Sequence, residues 1–494
     1  MSHSLSRRTF LRAVAVGAAA AALPSMARAA VKPGRPNVLF ILVDDLGWRD
    51  LGCFGSPFYD TPNVDRLRAG GMLFTDAYAA CPVCSPTRAS IMAGKYPTRT
   101  RVTDYISPAG GNQPGKWRRN TRLLPAPYQD HLALEEVTLA ETFKQAGYAT
   151  FFAGKWHLGS EGFWPEVQGF DVNKGGCERG GPYGGKKYFS PYGNPRLPDG
   201  PPGEHLPIRL GRETADFIQA HSGGPFLAYL SFYSVHSPHM TTDALKAKYQ
   251  ARQKDAPETR WGQEGERKVR LVQNHAVYAG MVEAMDTAVG IVLDRLDRLG
   301  LADNTIVFFM SDNGGLSTSE GYVTSNLPLR AGKGWLYEGG VREPMLVRAP
   351  GLTKPGSTCT EPVISTDFYP TMLDLAGLPA RPAQHVDGVS LRPLIEGKPM
   401  TRGPIFWHYP HYGNQGGAPG GAVREGDFKL IEWYEDGRLE LFNLRNDLGE
   451  QQNLAEKAPD VAKALHAKLV AWRKETGAKM PTPNPRYKPG KPRR

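Results

Sequence analysis

The chain has no run of eighteen or more apolar residues, which excludes a conventional membrane-spanning helix and a stable membrane anchor of that kind. Cysteine is scarce. Only Cys53, Cys81, Cys84, Cys177 and Cys359 occur in 494 residues, too few for a disulfide scaffold. The odd count leaves one thiol over if the others pair, as an oxidising compartment would favour. The chain also lacks a charge excess spread over a domain. Its formal net charge is +11, but residues 1–30 hold four arginines and no acid, and residues 479–494 hold six cations and no acid, which leaves +1 for the body between them. A basic face for nucleic acid is therefore not indicated. What remains is globular in composition, with 40% hydrophobic and 22% charged residues. The length suits two or three domains. Gly (56) and Pro (42) are abundant, so many fixed turns and long loops are expected.

Ser6-Arg7-Arg8-Thr9-Phe10-Leu11 is a twin-arginine pattern, and an Ala/Val stretch follows over 13–23. Ala27-Arg28-Ala29 fits a small-x-small cleavage site. Residues 1–29 are thus expected to be a twin-arginine signal peptide, engaging that export machinery and sending a folded protein to the periplasm or the exterior.

Asn37–Val43, Ala149–Ala153, Phe226–Phe232 and Thr305–Met310 are continuous apolar runs, which predict strands buried on both faces of a largely parallel sheet. Met345–Val347 is a further short strand. Helices are predicted from Thr61-Pro62-Asn63 to Gly70, from Thr138 to Gln145, and over 274–299, where apolar residues recur at helical spacing. This alternation, over 36–395, predicts an α/β layered domain. Residues 400–476 read differently, as four short strands and a closing helix, a smaller α+β domain. Residues 477–494 are a basic, Pro-rich tail. Segments 99–131 and 172–210 are long, Gly/Pro-rich and aperiodic, as functional loops tend to be.

Polar clusters follow the strands, where open α/β sheets bind ligands. Asp44-Asp45 and Asp312-Asn313 end two of them. Each pair alone reads equally well as a turn or cap. Together they offer four oxygen donors for a hard cation, Ca²⁺ or Mg²⁺, and a dry all-oxygen cage suits Ca²⁺ better. Cys84-Ser85-Pro86-Thr87-Arg88 predicts Cys84 at a helix N-terminus, where backbone N–H groups favour an anion, with Arg88 one turn on. A redox pair in Cys81-Pro82-Val83-Cys84 would need a thioredoxin-like setting, which the flanking sequence does not supply.

These residues, in this order, resemble the type I, formylglycine-dependent sulfatases of the alkaline-phosphatase-like superfamily. Cys84-Ser85-Pro86-Thr87-Arg88 matches the family's C-x-P-x-R signature, and Gly147 to Gly159, with Lys155 and His157, its second. Val235-His236-Ser237-Pro238, Lys333-Gly334, Glu338 to Pro344 and Asp387 to Leu391 match later segments. The resemblance spans residues 36 to about 455 and implies an α/β/α sandwich with a smaller C-terminal α+β domain.

It also implies that a formylglycine-generating enzyme oxidises Cys84 to formylglycine, that one Ca²⁺ sits on Asp44, Asp45, Asp312, Asn313 and residue 84, and that Arg88, Lys155 and Lys333 hold the sulfate. His157 becomes the base and His236, with Lys333, faces the leaving alcohol. His239, His408 and His411 are further candidates for the pocket. The expected activity is hydrolysis of sulfate esters of carbohydrates and of aryl sulfates. Alternatives are a phosphonate or phosphate monoester hydrolase using the same site, and a sulfated-glycan binding protein in which Cys84 stays a thiol.

Overall fold

Seven consecutive buried residues make Asn37–Val43 (β1) the centre of the protein, with Leu39, Ile41 and Val43 in one core and Val38, Phe40 and Leu42 in another. A computed structural model describes residues 34–107 and 110–490. The twin-arginine segment and the last four residues of the tail lie outside the described residues.

β1 belongs to a nine-stranded sheet whose other members are Met72–Tyr78 (β2), Ala149–Gly154 (β3), Val172–Lys174 (β4), Phe226–Ser231 (β5), Thr305–Ser311 (β6), Arg342–Arg348 (β7), Ser357–Cys359 (β8) and Val363–Ile364 (β9). The order is β8-β2-β7-β6-β1-β5-β3-β4, with β9 also on β2. All pairings are parallel except those of β7, which runs antiparallel to both neighbours. β2 is not evident in the sequence because Thr75 and Asp76 interrupt its apolar residues. Asp76 is retained there by Arg342 at 2.6 Å and Arg424 at 2.8 Å.

Helices cover both faces, as expected of strands without a polar side. Pro62–Gly70 (α1), Leu206–Ala220 (α4) and Ala276–Arg298 (α5) contribute to one core, and Cys84–Ala93 (α2), Leu139–Gln145 (α3) and Phe368–Leu375 (α6) to the other. α1 begins at Pro62, which has no N–H to lose. The free amides of Asn63 and Val64 instead donate to Asp286 of α5. A capping box of Thr138 and Glu141 opens α3. α4 falls partly in the segment expected to be loop.

Ile405–Tyr409 (β10), Gly420–Glu425 (β11), Phe428–Trp433 (β12) and Leu439–Asn443 (β13) form an antiparallel meander, and Pro459–Glu475 (α7) packs on it. Its apolar face joins Tyr78, Leu336 and Val341 in a third core, where Phe406 and Trp472 stack at 4.9 Å. Lys429 of β12 is fully buried between Glu338 at 2.8 Å and Glu450 at 3.0 Å. Residues from Arg35 onward make one compact unit. All five cysteines carry free thiols, contrary to the expected pairing. Cys53, Cys177 and Cys359 lie in separate segments, and Cys84 turns its thiol to Asp44 Oδ1, 3.7 Å away, instead of to Cys81.

Candidate active site

The register of the sheet assembles the site. Val43 of β1 lies opposite Ser311 of β6, so Asp44-Asp45 and Asp312-Asn313 leave the sheet side by side. All four are fully buried. Asp45 takes a left-handed conformation, φ 62°, and its N–H donates to Asp312 Oδ1. On the other side of β1, β5 ends at Ser231 and β3 at Gly154. Gly154 has φ +103°, and a Cβ there would stand 1.7 Å from the Ser231 carbonyl. Only glycine permits that approach, and it sets Lys155 beside the acids.

Cys84 is the first residue of α2, after Val83 in extended conformation. Arg88, one turn later, donates Nε–H to Asp312 at 2.8 Å and Nη1–H to Ser231 Oγ at 2.7 Å and to the Lys155 carbonyl at 2.8 Å. Lys155 Nζ is 2.7 Å from Asp44 Oδ2. Lys333 Nζ is 2.8 Å from Asp45 and 3.3 Å from Glu320. The six residues expected to be catalytic and the four Asp and Asn side chains expected to ligate a metal come together.

The two histidines differ in which nitrogen is free. His157 Nε2–H donates to the Ile106 carbonyl at 2.8 Å, which leaves Nδ1 an acceptor, buried and without a partner. Burial and then Lys155 hold its proton affinity well below the usual value, so it is a neutral base. His236 Nδ1–H donates to the Ser237 carbonyl at 2.6 Å and turns Nε2 toward Asp45, 3.8 Å away. Burial and Lys333 lower its pKa to about 4. Burial raises the Cys84 thiol to about 12 in spite of Lys155 and Lys333.

Cys84, His157, His236 and Lys333 open into one cavity of about 1070 Å³. Glu320, Tyr183, Arg179, Asn414 and Gln415 also line it, and sequence reasoning singled out none of them. Gln415 Nε2–H donates to Glu320 at 2.6 Å, which brings a turn between β10 and β11 to the cavity wall. The Gly-rich stretch 413–417 was the only sign of that close approach. His239, His408 and His411 do not line the cavity. His408 bridges Tyr434 and the Lys479 carbonyl, and His411 bonds Thr103 at 2.9 Å. His239 sits edge-on to Tyr278. All three pack the fold.

The family model for sulfatases matches residues 36–378. This chain belongs to the sulfatase family. A second family model, for the C-terminal part of N-sulphoglucosamine sulphohydrolase, matches residues 331–475. A sulfatase of Formosa agariphila is 33% identical over 89% of this chain and 88% of its own. The N-acetylgalactosamine-6-sulfatase of Canis lupus familiaris is 31% identical, over 86% of this chain and 77% of its own. Among solved structures, Ps i-CgsB in complex with k-i-k-neocarrahexaose superposes with a TM-score of 0.72 at 27% identity, covering 89% of this chain and 92% of that one. The phosphonate monoester hydrolase of Agrobacterium radiobacter shares the fold, with a TM-score of 0.62 at 21% identity over 90% of this chain and 96% of that one.

The sulfatase's buried acids fit a hard cation. Asp44, Asp45 and the position-84 side chain converge on one point. Asn313 Oδ1, fully buried, has no donor. Burial, with Asp312 and Asp45 as neighbours, raises Asp44 well above the carboxylate range although Lys155 opposes this. A cation among Asp44, Asp45, Asp312 and Asn313 would supply the missing charge and the missing partner.

The position of His157 in this enzyme depends on Gly180. A Cβ at Gly180 would stand 2.6 Å from His157 Cε1 and 2.8 Å from Nε2. Gly180→Ala is expected to push the imidazole aside and lower kcat by about 10²-fold, as a misplacement near 1 Å can. Steady-state kinetics beside a thermal melt check this; an unchanged kcat refutes the contact.

Proposed function

We propose that this sulfatase is exported and releases sulfate from sulfated carbohydrates, with a formylglycine made from Cys84 and one Ca²⁺. The observation that carries this reading is Cys84 at the floor of a cavity where Arg88, Lys155 and Lys333 surround it and an unpaired His157 Nδ1 stands by. The cavity is at the upper end of the roughly 300–1,000 Å³ of small-molecule sites, which leaves room for sugar beyond the sulfate. The similarity to an N-acetylgalactosamine-6-sulfatase supports the substrate class. The twin-arginine pattern supports export.

A formylglycine at position 84 would supply an aldehyde hydrate, with one hydroxyl to attack sulfur and a second whose deprotonation expels sulfate, which a thiol cannot offer. His157 Nδ1 is the group that takes that proton. Arg88, Lys155 and Lys333 neutralise the sulfate oxygens inside a buried site, where such contacts are worth most. Calcium would add Lewis acidity at those oxygens.

Charge favours a sulfate monoester over a phosphate monoester, though not over a phosphonate monoester, which carries the same single charge. Three buried carboxylates, Asp44, Asp45 and Asp312, and the partly exposed Glu320 face three cations, Arg88, Lys155 and Lys333. One divalent cation turns the balance to +1, which matches a sulfate monoester, whereas a phosphate monoester dianion stays in excess. Sulfate release from a panel of sulfated sugars, and nitrophenol release from nitrophenyl sulfate against that from nitrophenyl phosphate and a nitrophenyl phosphonate, tests the reading. Faster turnover of either phosphorus ester overturns it.

An alkoxide needs a proton as the S–O bond breaks; a nitrophenolate does not. A bound ester anion raises the proton affinity of His236, which lies on the cavity wall. His236→Ala is expected to lower kcat/KM on a sugar sulfate by about 10²–10⁴-fold. The effect on nitrophenyl sulfate should be far smaller. Equal losses on both would make His236 a sulfate holder and leave Lys333 as the acid.

A further inference from the structure

The basic excess of the tail has a counterpart in the cavity loop. Residues 116–122, Lys-Trp-Arg-Arg-Asn-Thr-Arg, carry four cations and no acid. The fold lays the tail against them. Thr482 pairs with Leu124 and Pro483 with Leu123, antiparallel. Asn484 then donates its N–H to the Arg122 carbonyl at 2.9 Å and its side-chain amide to the Thr121 carbonyl at 2.8 Å. Arg486 donates to the Trp117 carbonyl at 2.7 Å. Asn120 and Lys488 exchange two hydrogen bonds, at 2.8 and 3.0 Å. Arg119 lies over the Trp117 ring at 5.1 Å and donates to the Tyr412 carbonyl.

This pairing places Lys116, Arg118, Arg119, Arg122, Arg486 and Lys488 along one strip, and all but Arg119 are exposed. Glu435 and Asp436 are the carboxylates that approach Arg122. The strip starts at the cavity: Gly110, Gln113 and Lys116 of the same loop form its wall. A single sulfate ester is already met by Arg88, Lys155 and Lys333 and has no use for six more cations. The rest of the body, residues 31–115 and 123–478, carries a net −3, so the strip is not part of a general basic surface.

We propose that the strip made by residues 116–122 and the tail binds the anionic chain of a polysulfated glycan whose reacting ester occupies the cavity. This rests on the sulfated-carbohydrate reading above. Continuity with the sulfate pocket favours a glycan over DNA or a phospholipid surface, neither of which carries a sulfate ester into the cavity. Binding along the strip is electrostatic, so it weakens as salt rises.

The test is binding of the full chain to chondroitin sulfate at low and at physiological ionic strength, beside turnover of an aryl sulfate. Arg118→Gln/Arg122→Gln/Lys488→Gln should lose about tenfold in affinity at low salt, three partly screened contacts together, and its affinity should vary less with salt. Arg66→Gln/Arg298→Gln/Lys354→Gln is the control. These exposed cations lie on α1, at the end of α5 and after β7, around the opposite end of the sheet. The control should bind as the parent does, and both variants should turn over the aryl sulfate unchanged. Equal affinities of the two variants overturn the proposal. So does a DNA duplex or an anionic vesicle that binds the parent as tightly as the glycan and is lost in the same variant. Failure of the parent to hydrolyse aryl sulfate while the binding pattern holds would strike the functional reading and leave the strip standing.

Discussion

Cys84→Ala is expected to abolish sulfate-ester hydrolysis, a loss on the order of 10⁵–10⁶-fold, the scale of removing a covalent nucleophile. The unmodified thiol is a poor substitute for an aldehyde hydrate. Its S–H points to Asp44 Oδ1 at 3.7 Å, and burial raises its pKa to about 12, so the thiolate is scarce at neutral pH. The active fraction of the parent should therefore carry an aldehyde in the tryptic peptide 69–88, which mass spectrometry reads directly. Parent protein that holds only the thiol and turns over at full rate would refute formylglycine. Every residue of Cys84–Ala93 is buried in the fold. A modifying enzyme would thus have to reach Cys84 before this part of the chain folds, and a twin-arginine route, which moves folded proteins, would require the conversion to precede export.

The parts of the site that were legible in the sequence are those where chemistry and local structure share a few consecutive residues. Asn37–Val43 followed by Asp44-Asp45, and Thr305–Ser311 followed by Asp312-Asn313, each carry the strand signal and the candidate ligands in one stretch. Cys84-x-Pro86-x-Arg88 carries helix start, candidate nucleophile and cation within one turn and a half. What was not legible depends on pairings between distant residues. Glu320 gains its place from Lys333 and from Gln415, which lies 95 residues further on. Asp76, which breaks the apolar pattern of β2, is stabilised by Arg424, in the small sheet. The tail reads as an extended basic segment, but its partner, Leu123–Leu124, is a two-residue strand with no periodicity to announce it. His408 and His411 mislead for the converse reason: an aromatic, histidine-rich stretch looks like a site, yet each imidazole is taken up by a neighbour, Tyr434 or Thr103.

Asp312→Asn is expected to remove calcium and activity together. The substitution keeps the size of the side chain but withdraws one of the three carboxylates at the ends of β1 and β6. It also leaves Arg88, whose Nε–H donates to Asp312 at 2.8 Å and whose Nη2 lies 2.7 Å from the same oxygen, without its nearest counter-charge. Breaking a buried pair in this way costs about 3–5 kcal/mol of stability. The measurement must therefore separate loss of metal from loss of fold. In the parent, calcium at a hundred times its Kd should add about 2.7 kcal/mol of stability, seen as a melting temperature that rises with added calcium and falls with a chelator. In Asp312→Asn the melting temperature should be lower at the outset and indifferent to both. Turnover should fall about 10³-fold, the several kcal/mol that a Lewis acid and its positioned arginine supply to the developing charge. Arg88→Gln is the control: it removes the cation and keeps all three carboxylates, so calcium should remain bound while activity falls. If Asp312→Asn still binds one calcium and still responds to the chelator, the ion is held elsewhere, and the unpartnered Asn313 Oδ1 beside it needs another explanation.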